Sequence, residues 1–438
     1  MSKRGKRKSR ETVDLLIVNA NELVTLAGSS QKPRIGKQMK ELGIIHDGAI
    51  AIRDGRIVAV GKTSSITGSF KAGNVISANG KTVLPGFIDP HTHLVFAGSR
   101  EDEFQMRIEG ASYLEILNAG GGILRTVTDT RKTSVERLVD TCMEKLDIML
   151  LHGTTTVEAK SGYGLTTKDE LKILEVIRRV NQLHTVDIVA TFLGAHAVPP
   201  EYKGNTQGYV NLIVDDMLPK VTEKVLAEFC DVFCERGVFN LEQSKRILVN
   251  AKECGLKAKI HADEMSLLGG AELAADVGAI SAEHLLFSSI DGFQAMAAKD
   301  TIAVLLPAAA FSLMMGRYPD ARLMIDLNVP VALGTDHNPS CLVESMQLIV
   351  AFACHFMRLT PDEAIKAATI NAAHALGKAH DIGSLEVGKR ADVVVLDMPN
   401  HKFLGYHFGM NLVDKVVKNG RIVVDKEVGP SGIVHLEG

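Results

Sequence analysis

The chain has 438 residues, 46% of them hydrophobic and 23% charged, with a formal net charge of −3. That composition can bury a large core and excludes a chain disordered throughout, and the length fits one large barrel with an accessory domain. The longest apolar run, residues 302–315, contains Pro307 and is too short to cross a bilayer, and no apolar stretch follows the basic start, so neither a membrane helix nor a secretory leader is expected.

Charge is uneven along the chain. Residues 1–10 hold Lys3, Arg4, Lys6, Arg7, Lys8 and Arg10, while the remainder is acidic. This reads as a disordered, solvated tail, because the acidic body offers no matching basic surface. No nucleic-acid or membrane partner is expected. The six cysteines are scattered without paired CxxC motifs, and most are expected to be buried thiols in a reducing cytoplasm.

In chain order, residues 14–26 read as a strand, and 49–61 as two strand-like runs around Asp54-Gly55. Near the other end, 391–398 reads as a strand and 414–425 as a second pair around Asn419-Gly420. Asp-Gly and Asn-Gly favour two-residue hairpin turns, which need positive φ at both positions. Isolated hairpins are marginal in water, so both ends are expected to build one β-sandwich from residues 11–78 and 385–438.

Residues 79–384 alternate short β-rich runs with helical patterns. The strand candidates are TVLPGFID, TTTVEA, VDIVATFLG, EFCDVFCE, LKAKIHAD, ISAEHLL, IAVLLP and VPVALGTD. Helix candidates include SVERLVDTCMEKLDIMLLHG, TKDELKILEVIRRVNQLH, LEQSKRILVNAKECG and TPDEAIKAATINAAHALG. The last opens with an N-cap threonine, a proline at the first helical position and an acidic first turn. The alternation predicts an α/β fold, a (β/α)8 TIM barrel, whose chemistry sits where the strands end at the C-terminal face.

The first barrel strand ends PGFIDPHTHLVFAGSR, and His91 and His93, two apart, share one side of it. His261 in LKAKIHADE, His284 in ISAEHLL and Asp336 in VALGTDHN stand at three later strand ends. These groups converge on one mouth, and His91, His93, His261 and Asp336 form a mixed nitrogen and oxygen set of the kind zinc or iron accepts.

FAGSREDEF, NAGGGILRTV, GTTTVEAKSGYGL, TFLGAHAVPPEY, HADEMSLLGGAELAADVGAISAEHL and ALGTDHNPSC carry a closer likeness. With them the chain resembles the metal-dependent amidohydrolase superfamily, and within it the imidazolonepropionases, which open imidazolone-propionate to N-formimino-glutamate in histidine degradation. The resemblance implies a distorted barrel, a composite β-sandwich and one metal ion per subunit, Zn2+ or Fe, with a homodimer as the expected assembly. Relatives with two metals carry a carboxylated lysine at the fourth strand end. The strand VDIVATFLGAHAVPP, counted as the fourth, ends without lysine and offers His196, which agrees with one metal.

The same resemblance implies catalytic roles. Asp336 or Glu264 takes a proton from water, and His284 can hydrogen-bond the carbonyl oxygen as it becomes an oxyanion. Arg100 in the FAGSR loop suits the propionate carboxylate, since a guanidinium can fork two hydrogen bonds onto it. Tyr163, His196 and Asn338 are implied substrate or product contacts, with Tyr113 at the propionate end. After the eighth-strand aspartate the family often reads Asp-Phe-Asn-Pro-Gly followed by Ser or Thr. Here Asp336-His337-Asn338-Pro339 leads into Ser340 and Cys341, small replacements assigned to the same wall. Competing readings are a deaminase acting on a neighbouring substrate, which would release ammonia, and a binding protein without activity, which a lost metal ligand would mark; none is lost.

Overall fold

The computed structural model describes residues 10–28, 30–111, 115–116, 120–428 and 432–434. Nearly all of the expected basic tail, and Tyr113, lie outside the described residues. Both ends of the chain contribute to one eight-stranded mixed sheet. Its strands are β1 (Glu11–Val24), β2 (Ile44–Arg53), β3 (Arg56–Lys62), β4 (Phe70–Ser77) and β5 (Thr82–Pro85) from the N-terminal side. Strands β14 (Val393–Leu396), β15 (Val413–Lys418) and β16 (Arg421–Asp425) come from the C-terminal side. The order is β16-β15-β14-β5-β1-β2-β3, with β4 also on β1. Leu15, Ile17, Ile50, Val83, Val393 and Val417 meet in its core, and alternation along each strand puts them on one face.

The hairpin turns form as their sequences ask. Asp54 and Gly55 have φ of 51° and 73°, and Asn419 and Gly420 have 49° and 75°. The two tips also touch: a Cβ on Gly420 would lie 2.9 Å from the Gly55 Cα. Glycine is needed there for close approach as well as for positive φ.

The barrel strands are β6 (Phe87–Asp89), β7 (Thr154–Lys160), β8 (Asp187–Ala195), β9 (Phe229–Cys234), β10 (Lys257–Ala262), β11 (Ser281–His284), β12 (Ile302–Leu305) and β13 (Val331–Leu333). They lie side by side in chain order, and every pair is parallel. Closure happens just beyond β6 and β13. There Asp336 N–H donates to the His91 carbonyl at 3.0 Å, and His93 N–H to the His337 carbonyl at 2.9 Å. The seam of the barrel therefore runs through three of the predicted metal ligands, His91, His93 and Asp336, and the neighbouring His337.

Three expectations need correction. TVLPGFID is two strands, not one: β5 belongs to the mixed sheet and β6 opens the barrel. Gly86 makes the crossing where a Cβ would lie 2.3 Å from Thr155 Oγ1. Strand β8, which carries His196 just beyond its end, is the third of the barrel and not the fourth. The fourth is β9, which also ends without lysine, in Cys234-Glu235. The helix expected over TPDEAIKAATINAAHALG is two helices, Pro361–Ala367 and Ile370–Ala375. Its break is set by β6, because Ile88 N–H donates to the Ala368 carbonyl at 3.0 Å and removes that acceptor from the helix.

The start of that segment holds as read. Thr360 caps Pro361–Ala367 by accepting from Glu363 N–H, and the Glu363 carboxylate accepts from Thr360 N–H at 2.8 Å. Such a reciprocal cap contributes about 1 kcal/mol. Thr360→Ala is expected to lower unfolding stability by about that amount. A reduced urea midpoint with unchanged specific activity would check it.

Candidate active site

His91 and His93 follow β6, His261 lies in β10, His284 ends β11 and Asp336 follows β13. All five side chains are buried. Asp336 Oδ1 lies 3.3 Å from His91 Nε2 and 3.4 Å from His93 Nε2, and His93 Nε2 lies 3.4 Å from His261 Nε2. The ring centroids of His91 and His261 are 4.6 Å apart. His91 Nε2 and Asp336 Oδ1 are buried with no hydrogen-bond partner. Buried donors of this kind need a partner, and a divalent cation is the one partner that suits three imidazoles and a carboxylate together. Electrostatics agrees. Burial lowers the His91 pKa, but the neighbouring carboxylates of Glu283 and Asp336 outweigh it and push it up to about 9. Burial raises that of Asp336, but His91 and the other histidines hold it at about 2. The set favours positive charge at its centre and fits a divalent metal.

The backs of these histidines rest on residues to which the sequence reading gave no role. His91 Nδ1 lies 2.5 Å from Glu283 Oε2, and His261 Nδ1 lies 3.0 Å from Asp231 Oδ2. Lys160 Nζ stands between three carboxylates, 2.9 Å from Glu158, 2.8 Å from Asp231 and 3.0 Å from Glu283. Lys259 Nζ adds a contact of 2.9 Å to Glu158. All five charged side chains are fully buried. Their signal was present: Glu158 and Lys160, and Lys259 and His261, stand two apart on their strands, which aims each pair to one side, into the barrel.

Above the ligands lies a cavity of about 90 Å³. Its wall brings together Arg100, Tyr163, His196, Glu264, His284, Asp336, Asn338, Ser340 and Cys341. His196 stacks on His93 with centroids 4.8 Å apart, and its Nδ1 lies 3.0 Å from the Gly162 carbonyl oxygen. Burial holds His196 and His284 neutral, both pushed down to about 3. Burial and then the Asp336 charge push Glu264 up to about 8; its Oε1 lies 3.6 Å from His284 Nδ1. His284 and Asp336 sit at φ of 70° and 52°, left-handed values that cost energy in residues with a Cβ.

Arg100 is 9% exposed at its side chain and is fixed by Glu103. Its Nε donates to Glu103 Oε2 at 2.8 Å, and Nη2 lies at the same distance. Glu103 Oε1 accepts from Gly122 N–H at 2.9 Å, so the triple-glycine segment and Arg100 share one brace. The loop that departs from the family pattern closes on itself. Asn338 and Cys341 exchange two backbone hydrogen bonds, and Ser340 N–H donates to Asn338 Oδ1 at 2.8 Å. Ser340 is not at positive φ, so no glycine is required there.

A larger crevice of about 1100 Å³ lies beside the two hairpin turns, far in sequence from these donors. Its main charges are matched: Arg390 Nη2 lies 2.7 Å from Asp187, and Lys418 Nζ 2.6 Å from Asp187 and Asp392. Among the described residues it offers no set of converging metal-type donors, so the smaller cavity is the candidate site.

Comparison with known proteins agrees with this geometry. Residues 82–423 match the amidohydrolase family. An imidazolonepropionase of Alkaliphilus metalliredigens (strain QYMF) is 53% identical over 418 residues, covering 94% of this chain and 99% of the relative. One of Geobacillus sp. (strain WCH70) is 54% identical over 415 residues, covering 94% and 98%. An adenosine deaminase from Xanthomonas campestris with bound zinc shares the fold, with a TM-score of 0.73 at 18% identity over 98% of this chain and 96% of the other. E. coli guanine deaminase does so with a TM-score of 0.71 at 15% identity over 94% and 99%. With near full-length identity above half to these relatives, and with a buried histidine and aspartate cluster at the mouth of a parallel barrel, the chain belongs to the amidohydrolase family, on its imidazolonepropionase branch.

Proposed function

We propose that the chain hydrolyses the ring amide of 4-imidazolone-5-propanoate to N-formimino-L-glutamate, the reaction named for its curated relatives. The observation that carries the reading is one small cavity with a metal-type donor set on one wall and a braced arginine on another. His91, His93, His261 and Asp336 would hold one divalent cation, zinc or iron. Bound there, such an ion supplies Lewis acidity, lowering the pKa of water to about 7 and polarising a carbonyl oxygen.

The residues of the chain do the rest. Arg100 receives the propionate carboxylate and fixes the ring against Tyr163 and His196. Water adds to the ring carbonyl carbon, and the bond from that carbon to the ring nitrogen breaks. Glu264, raised to about 8, takes the water proton and returns it to the departing nitrogen. Asp336, held at about 2, is the poorer base. His284, neutral in its buried position, donates to the carbonyl oxygen as negative charge develops. Asn338, Ser340 and Cys341 shape the facing wall. Asp231, Glu283 and Lys160 hold the ligand rings in place from behind. The reading includes a homodimer in the cytoplasm. No helix among the described residues is long and apolar enough to cross a membrane.

Incubation with fresh imidazolone-propionate should yield N-formimino-glutamate without ammonia; ammonia release would point to a deaminase instead. Glu264→Gln should cut kcat by about 100-fold or more with metal content unchanged, measured by turnover and elemental analysis. Arg100→Met removes a charge-assisted contact of about 1.5–3 kcal/mol, roughly a ten- to hundred-fold loss in kcat/KM, with metal retained. Lysine at that position should restore only part, since it lacks the two-pronged geometry. Wild-type kcat/KM in Arg100→Met would move carboxylate recognition elsewhere. Lys160→Met should weaken metal binding by about 10- to 100-fold in chelator competition, because both carboxylates behind the ligands lose their shared partner.

A further inference from the structure

A second cavity, of about 220 Å³, adjoins the first. The two share Arg100 and Ser340 as a common wall, and the second is also lined by Arg107, Ser312, Phe104 and Leu342. Arg107 lies on the helix Glu101–Ile108, two turns beyond Arg100. Its Nη1 donates to the Ser312 carbonyl at 3.1 Å, which fixes the guanidinium against the far side of the chamber.

The charges around this wall do not balance. Arg100 spends its charge on Glu103, whose second oxygen is already taken by Gly122 N–H. Arg107 has no carboxylate within ion-pair distance among the described residues. Burial comes first among the influences on it, then the repulsion of Arg100, against the weaker attraction of Glu103. Glu101 also lines the chamber, but it is exposed at the rim, where water screens it. A half-buried cation without a carboxylate partner among the described residues, facing a cavity that shares Arg100 and Ser340 with the reaction site, is a place for an anion.

We propose that the side chamber is a carboxylate-docking subsite. Arg107 is its cation, unpaired with any carboxylate among the described residues, and an anionic substrate engages there before its carboxylate passes to Arg100. The ligand class is a small mono- or dicarboxylate. Ring opening adds a second carboxylate to the molecule, so the product suits the same chamber as it leaves. The inference deepens the reading of an anionic substrate given above and rests on it. Arg107 supplies attraction and orientation on approach; it takes no part in the bond changes.

The test compares wild type with Arg107→Gln and Arg107→Lys. In Arg107→Gln, kcat/KM for imidazolone-propionate at low salt should fall by about five- to ten-fold while kcat stays within about two-fold. The decline of kcat/KM with added salt should flatten, and Arg107→Lys should restore it, since the charge returns. The methyl ester of the substrate should be turned over equally by wild type and Arg107→Gln. Calorimetric titration with glutarate reads the subsite without turnover, and Arg107→Gln should bind it about ten-fold more weakly. Equal glutarate binding by both proteins overturns the proposal. So does a wild-type salt dependence in Arg107→Gln, or an equal loss on the ester, which would make Arg107 only a tether to Ser312. If the wild type fails to open imidazolone-propionate, the reading of the reaction falls on that observation, and the glutarate titration still decides the subsite.

Discussion

Five buried charges under the barrel mouth govern the rest of this structure. Glu158, Asp231 and Glu283 surround the ammonium of Lys160, with Lys259 beside them, and none is exposed to water. Removing so many ions from water costs several kcal/mol each unless they are paired with good geometry. Here the pairing fixes the carboxylates, and the carboxylates face the Nδ1 atoms of His91 and His261. Their Nε2 atoms are thereby left to face Asp336, from His91, and His93 Nε2, from His261. The metal-type donor set is a consequence of the ionic layer beneath it.

The seam of the barrel is the second constraint. Strands β6 and β13 are the shortest of the barrel at three residues each, and they meet through backbone bonds just past their ends. Those bonds place His91 and His93 opposite Asp336 at a fixed register. Asp89, below the seam, accepts from Thr335 N–H at 3.0 Å and ties the two strands together again. The left-handed backbone at Asp336 and His284 costs stability and survives because the surrounding bonds leave no alternative. Local strain and donor placement are thus two aspects of one closure.

The arginine proposed for substrate recognition rests on a smaller network of the same kind. Glu103 holds Arg100 with one oxygen and the glycine-rich segment with the other. An arginine with a fixed guanidinium loses little freedom when a carboxylate arrives, but its charge is already partly neutralised. In the proposed recognition, geometry at Arg100 and charge at Arg107 are therefore supplied by different residues on one helix and its N-cap.

The sequence by itself determined the parts that depend on short-range pattern. The hairpin turns followed from Asp54-Gly55 and Asn419-Gly420, the helix start at Thr360 from its cap, and seven of the eight barrel strands from their apolar runs. The candidate donors His91, His93, His261 and Asp336 were legible because each stands at a strand end, where a barrel gathers its chemistry. Tertiary structure alone decided what lies behind and beside them. Lys160 meets Asp231 and Glu283 across 71 and more residues of chain, and Ile88 breaks a helix by bonding a carbonyl nearly three hundred residues away. Gly86 divides one apolar run between two sheets because Thr155 approaches it, not because of its own neighbours. Periodicity reports which way a side chain points. Which charge it will find there depends on strand order and register, and those are settled only when the whole sheet has closed.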